Sequence, residues 1–177
     1  MNFLDYVSLY DIEDDAFCDS VVSEYSTWEW ETHQWGHEYD SECHYEDDSA
    51  ENLFPVKESN LLYNICDTVF SDYSRKFEIG LVNFAVPKYA RYNTGSFLRV
   101  HYDHAKDLFD GKERGIPICT LVGLLNDDFE GGDFYLRNED MELEKGHILI
   151  FPSIFLYPHE VKKVTKGVRN SFVSWAW

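Results

Sequence analysis

The run Tyr92-Asn-Thr-Gly-Ser-Phe-Leu-Arg-Val-His-Tyr-Asp103 passes from a turn signal into an alternating strand pattern. His101 and Asp103 are two positions apart, so on an extended strand both side chains project from one face. An imidazole beside a carboxylate is two thirds of a familiar ligand set, in which two His and one carboxylate hold a divalent metal and leave the opposite positions open. The third ligand has to come from a distant segment. His159, in Phe151-Pro-Ser-Ile-Phe-Leu-Tyr-Pro-His-Glu-Val161, is the later histidine best placed to supply it, and ten residues further on comes Arg169.

Outward from this run the sequence is mostly β. Short apolar segments at 79–86, 86–92, 97–103, 116–125, 134–137, 147–151, 157–161 and 169–175 are separated by turn signals. Such a series predicts a jelly roll, the cupin-like double-stranded β-helix. Upstream, residues 58–77 carry apolar groups at 61, 62, 65, 69 and 73, the spacing of an amphipathic helix backing a sheet. Asp14 or Asp15 can cap a first helix through about Tyr25, with Ala16, Phe17, Val21 and Val22 on one face. Residues 2–12 and 28–35 alternate and predict strands. Residues 36–52 predict a long acidic loop, whose aromatics make it a candidate lid. His33, His37, Cys43 and His44 fit no compact zinc spacing. The expected fold class is mainly β (α+β), with one or two N-terminal helices packed on the sheet. It forms a single domain over 1–177: an acidic, aromatic-rich part (1–57), a supporting helix (58–78) and a jelly-roll core (79–177).

Further features follow in order: Tyr92-x-x-Gly95 ahead of the His-x-Asp, Glu130-Gly-Gly-Asp133, Lys145-Gly-His147 opening an apolar strand, and a closing aromatic strand. Together they make roughly the last hundred residues resemble the 2-oxoglutarate and Fe(II)-dependent oxygenases, in their prolyl 4-hydroxylase-like branch. The resemblance implies Fe(II) held by His101, Asp103 and His159, with Arg169 clasping the far carboxylate of 2-oxoglutarate. Tyr92 and Thr120 would line the same pocket, and Trp175 would flank the substrate. It also implies O2 as oxidant, succinate and CO2 as co-products, and ascorbate supporting turnover. The reaction implied is hydroxylation of an unactivated C–H bond of a peptidyl side chain, proline first. Alternatives are a small-molecule or free amino-acid hydroxylase, or a non-catalytic jelly-roll module that binds a basic protein. Gly131 and Gly132 are expected in a tight turn or bulge, and His104 in a loop or behind the ligands.

The net charge of −18 is unevenly spread: 17 of the 33 acidic residues but only one of the 15 Lys and Arg fall within 1–60. That balance disfavours a nucleic-acid partner, whose binding depends on Lys and Arg displacing counterions. A basic peptide or protein is compatible with it. Cys18, Cys43, Cys66 and Cys119 are irregularly spaced without a C-x-x-C, which predicts reduced thiols. The N-terminal run lacks a basic start and a long apolar stretch, and no segment offers eighteen uninterrupted apolar residues. A cytoplasmic location without a membrane span is the expectation, and nothing in the sequence speaks to oligomeric state.

Overall fold

Alternation along the strands sorts the apolar side chains into two layers, and the functional side chains follow the same sorting. The computed structural model describes residues 2–33, 50–103 and 116–177. Its strands are β1 (Ser8–Asp11), β2 (Glu31–Thr32), β3 (Glu51–Leu53), β4 (Lys88–Asn93), β5 (Leu98–His101), β6 (Cys119–Leu124) and β7 (Glu130–Gly131). They continue with β8 (Phe134–Leu136), β9 (Glu139–Asp140), β10 (His147–Pro152), β11 (His159–Val161), β12 (Val164–Lys166) and β13 (Val168–Ala176), and the helices are α1 (Asp15–Ser26) and α2 (Tyr63–Phe77). The major sheet runs β1-β10-β6-β13-β4-β3-β2, the minor sheet β5-β11-β8-β9, and β12 pairs with β7, all antiparallel.

One face of the major sheet takes both helices. Cys18, Val21 and Tyr25 of α1 and Cys66, Val69, Phe70 and Tyr73 of α2 pack there with Leu121, Ile148, Ile150 and Phe172. The alternate residues Val122, Leu149, Phe151 and Val173 face inward and join Phe134, Leu136 and Val161 of the minor sheet in a second layer. Two facing sheets with a shared apolar layer are the jelly roll expected from the sequence. Among the described residues, no helix is long and apolar enough to cross a membrane.

Local chemistry moved several boundaries. Residues 3–6 form a 3-10 helix ahead of β1 instead of extending the strand, because Asn2 and Asp5 cap each other's backbone N–H groups reciprocally. The first helix matches its expected span, with Asp14 accepting from Phe17 N at 2.8 Å. Helix α2 begins at Tyr63, not 58; Asn60 Oδ1 accepts from Leu62 N and shapes the preceding turn. The strand expected at 79–86 is absent: a Phe84–Ala176 bridge, backbone bonds to Trp175 and Trp177 and a 2.6 Å bond from Ser174 Oγ to Ala85 O hold that segment against the last strand. Of the strand expected at 28–35, the described part forms β-structure at Glu31–Thr32, and Glu51 and Asn52, expected as loop, belong to a strand, Glu51–Leu53, paired with β4. The candidate lid falls largely outside the described residues, as do His37, Cys43, His44 and His104.

Gly123 of β6 faces Phe172 of β13 so closely that a Cβ there would fall 2.1 Å from the ring. Gly123→Ala should therefore overpack the helix-side layer. A loss of about 1–3 kcal/mol is expected, read as a lowered midpoint in thermal or urea unfolding.

Candidate metal centre

Strands β5 and β11 pair so that His159 lies directly opposite His101. Their ring centroids are 4.2 Å apart. Asp103 follows two residues beyond His101, in a bend past the end of β5 and not on the strand as expected, yet its carboxylate turns back between the rings. His101 Nε2 is 3.6 Å from Asp103 Oδ1, and His159 Nε2 is 3.5 Å from Asp103 Oδ2. Among the described residues, these three form a group able to place one ligand atom each within 4.8 Å of the others.

The opposite nitrogen of each ring fixes what Nε2 can do. His101 Nδ1 lies 2.8 Å from the carbonyl oxygen of Arg99, and His159 Nδ1 lies 3.2 Å from that of Tyr157. A carbonyl only accepts, so each Nδ1 carries the hydrogen, and in the neutral ring each Nε2 presents a lone pair. Burial pushes His101 down to about 4, assisted by the neighbouring His159 and opposed by Asp103. Burial acts to raise Asp103, but the adjacent His159 and His101 outweigh it and hold the carboxyl below its usual value. Two nitrogen lone pairs facing a carboxylate repel unless a cation lies between them. The donor set therefore fits a divalent metal, with two imidazoles and one carboxylate on one side and open positions opposite.

Asp103 is held by more than its histidines. Thr120 Oγ1 donates to Asp103 Oδ2 at 2.8 Å and shares a second 2.8 Å bond with Ser153 Oγ. The hydroxyl expected to line a cosubstrate pocket is thus committed to the carboxylate. The Trp175 indole N–H also faces Asp103 and favours its ionised form, although it makes no complete hydrogen bond. Rings of Phe151 and Phe134 pack on His159 at 5.0 and 5.7 Å between centroids.

Arg169 enters the same interior from β13, directly opposite Tyr92 of β4. Only 1 % of it is exposed, which is rare for a guanidinium. Its Cζ stands 5.4 Å from the Tyr92 ring centroid, and Nε and Nη1 have no hydrogen-bond partner among the described residues. Burial pulls its pKa below the ordinary value while Tyr92 and Asp133 oppose that shift, and an arginine stays charged. A buried cation with unspent N–H groups suits a carboxylate, which a guanidinium can grip through two parallel bonds. Gly132, at φ +70, leaves room for the arginine stem: a Cβ there would lie 3.0 Å from Arg169 Cδ.

With this geometry in place, residues 87–177 match the 2OG-Fe(II) oxygenase superfamily. The chain belongs to that superfamily. No curated protein sequence matches it. Among solved structures, this oxygenase is similar to a prolyl hydroxylase from Trichoplax adhaerens in complex with a hypoxia inducible factor oxygen degradation domain peptide, at TM-score 0.75 and 15% identity over 98% of this chain and 85% of that one. It is also similar to a prolyl-4-hydroxylase from Pseudomonas putida, at TM-score 0.71 and 18% identity over 96% and 91%. A viral collagen prolyl hydroxylase from Paramecium Bursaria Chlorella virus-1, in its 2OG complex, gives 0.71 and 15% over 97% and 95%. Identities this low establish the shared jelly roll.

All seven side chains singled out in the sequence, His101, Asp103, His159, Arg169, Tyr92, Thr120 and Trp175, are in this interior. Ser153 was missed, because a serine after Pro152 carries no spacing signal. His33, half-buried and accepting from Asn52 Nδ2 through Nδ1 at 2.9 Å, is also pushed down to about 4, first by desolvation and then by Lys88 and Arg99.

Two expectations follow. Because folded His101 and His33 resist protonation down to about 4, the unfolded chain binds protons between pH 6.5 and 4 that the folded chain does not. Stability of the metal-free protein should then fall as pH drops through that window, seen as a decreasing urea midpoint. Thr120→Val should weaken Mn(II) binding by about 10- to 100-fold, measured by calorimetry, with little change in far-ultraviolet circular dichroism.

Proposed function

We propose that this oxygenase hydroxylates an unactivated C–H bond of a peptidyl side chain, proline foremost, with succinate and CO2 as co-products. The observation that carries the reading is the convergence of two acceptor nitrogens on the Asp103 carboxylate within an interior that also holds the unspent Arg169 guanidinium. The peptide substrate is supported by the overall likeness to prolyl hydroxylases, one of them complexed with a peptide. In this reading His101, Asp103 and His159 hold Fe(II), and residues 1–177 act as one catalytic domain.

Bound there, Fe(II) together with 2-oxoglutarate supplies the activation of O2 and the electrons that let one oxygen atom enter the substrate. The chain's own part is placement. Arg169, backed by the Tyr92 ring, grips the far carboxylate of 2-oxoglutarate and so fixes which end meets the metal. Thr120 and Ser153 keep one Asp103 oxygen turned toward the histidines, and the two backbone carbonyls keep both imidazoles in the ligating tautomer. The layer of Phe134, Phe151 and Val122 around the centre keeps bulk water from it. We place the protein in the cytoplasm, on its free buried Cys18, Cys66 and Cys119, and expect ascorbate to sustain turnover.

The test is succinate formation from 2-oxoglutarate with Fe(II), ascorbate and proline-containing peptides, followed by a search for a gain of one oxygen in the peptide. Wild type should form both products. Asp103→Ala should lose metal binding and both products, and Arg169→Met should raise the KM for 2-oxoglutarate by about 100-fold, as expected when a charge-assisted bidentate pair is removed. Equal succinate from wild type and Asp103→Ala would contradict the proposal.

A further inference from the structure

Lys88 occupies a position the cofactor chemistry does not use. On β4, Lys88, Ala90 and Tyr92 alternate onto one face, and Ala90 and Tyr92 belong to the intersheet layer. Lys88 thus shares the inner face with the Tyr92–Arg169 pair, four residues along the strand, or about 13 Å away. Opposite Lys88 on β13 is Val173, two residues before Trp175. The Lys88 ammonium stands 5.0 Å from the Trp175 ring centroid and 5.9 Å from that of Phe54, itself 59% exposed. Trp175 in turn faces Asp103.

The ammonium makes no hydrogen bond or ion pair among the described residues, and its surroundings are aromatic on both contacts. Burial pulls it down to about 8, with Asp103 acting in the opposite sense. The two aromatic faces attract the ammonium but accept none of its N–H groups in conventional hydrogen bonds, which leaves those donors for a carboxylate. Its charge is also not isolated: Arg99 shares the face of β5 with His101, and both Lys88 and Arg99 disfavour protonation of His33. Lys88 and Arg99 are thus both close enough to the His33 ring to act on it.

We propose that Lys88 is a specificity-determining residue that receives a carboxylate of the substrate, an acidic side chain close to the hydroxylated residue. This rests on the oxygenase reading above and deepens it. The interior then has a cation at each end: Arg169 for the cosubstrate and Lys88 for the substrate, with Trp175 and Phe54 providing the apolar wall along which the peptide lies. Net charge alone predicts a basic partner, whereas the local charge at the site selects an acidic one, because short-range contacts outweigh screened distant charges.

The probes are two fluorescein-labelled peptide pools around a fixed proline, one with Glu and one with Gln at the flanking positions. Their binding is measured by anisotropy with the metal-free protein and with Mn(II) and 2-oxoglutarate added. Wild type should prefer the Glu pool by about 10- to 100-fold, the range for a charge-assisted bond. Lys88→Met should reduce that ratio to near one, Lys88→Arg should retain most of it, and Lys88→Glu should invert it in favour of the Gln pool. The melting temperature of Lys88→Met should equal or exceed that of wild type. Equal or undetectable binding of both pools by wild type, a preference that survives Lys88→Met, or a lower melting temperature for that variant would overturn the assignment. Failure of the oxygenase reading shows separately, as a wild-type protein that makes no succinate from 2-oxoglutarate.

Discussion

The structure depends on one constraint: two imidazoles whose protonated nitrogens are tied to backbone carbonyls two residues upstream. In an antiparallel pair, directly opposite residues bring their side chains within a few ångströms, and His159 opposite His101 uses that proximity. Tying Nδ1 to Arg99 O and Tyr157 O fixes the tautomer and turns both Nε2 lone pairs toward Asp103. A chain with the same three residues but Nδ1 left free would have lone pairs in either direction. The backbone carbonyls are as much a part of the centre as the ligands.

The major sheet provides the opposite wall, and its inner face is chemically graded. Tyr92 and Arg169 pair across β4 and β13, Lys88 and Val173 pair further along, and Trp175 pairs with Thr120 of β6, whose hydroxyl reaches Asp103. Burying Arg169 with incomplete hydrogen bonding costs several kcal/mol in general. That cost is tolerated because the helix-side layer, filled by α1, α2 and the alternate residues of the same strands, supplies the packing that holds the sheet rigid. Alternation thus separates the helix-packed face from the face that carries the buried polar groups.

Much of this was legible beforehand. Period-two patterning identified most of the long strands, and the sequence brought forward His101, Asp103, His159 and Arg169, which the fold gathers in one interior. The failures have physical causes. At 79–86 apolar residues suggested a strand, but that segment bonds to the backbone of the last strand mostly through isolated N–H groups. At 2–6 a capping pair outweighed alternation. Thr120 was expected to line the cosubstrate pocket, and its hydroxyl partner is a side chain 17 residues back in sequence, which no local pattern reveals. Lys88 was invisible for the same reason: its meaning comes from the strand beside it.

The most direct test is a crystal soaked with Mn(II) and 2-oxoglutarate and measured at the manganese absorption edge. A single anomalous peak should lie within about 2.0–2.4 Å of His101 Nε2, His159 Nε2 and an Asp103 oxygen, bond lengths usual for such ligands. The far carboxylate of 2-oxoglutarate should meet the Arg169 guanidinium within hydrogen-bond distance. A peak elsewhere, binding through Nδ1, or a 2-oxoglutarate that does not touch Arg169 would contradict the account.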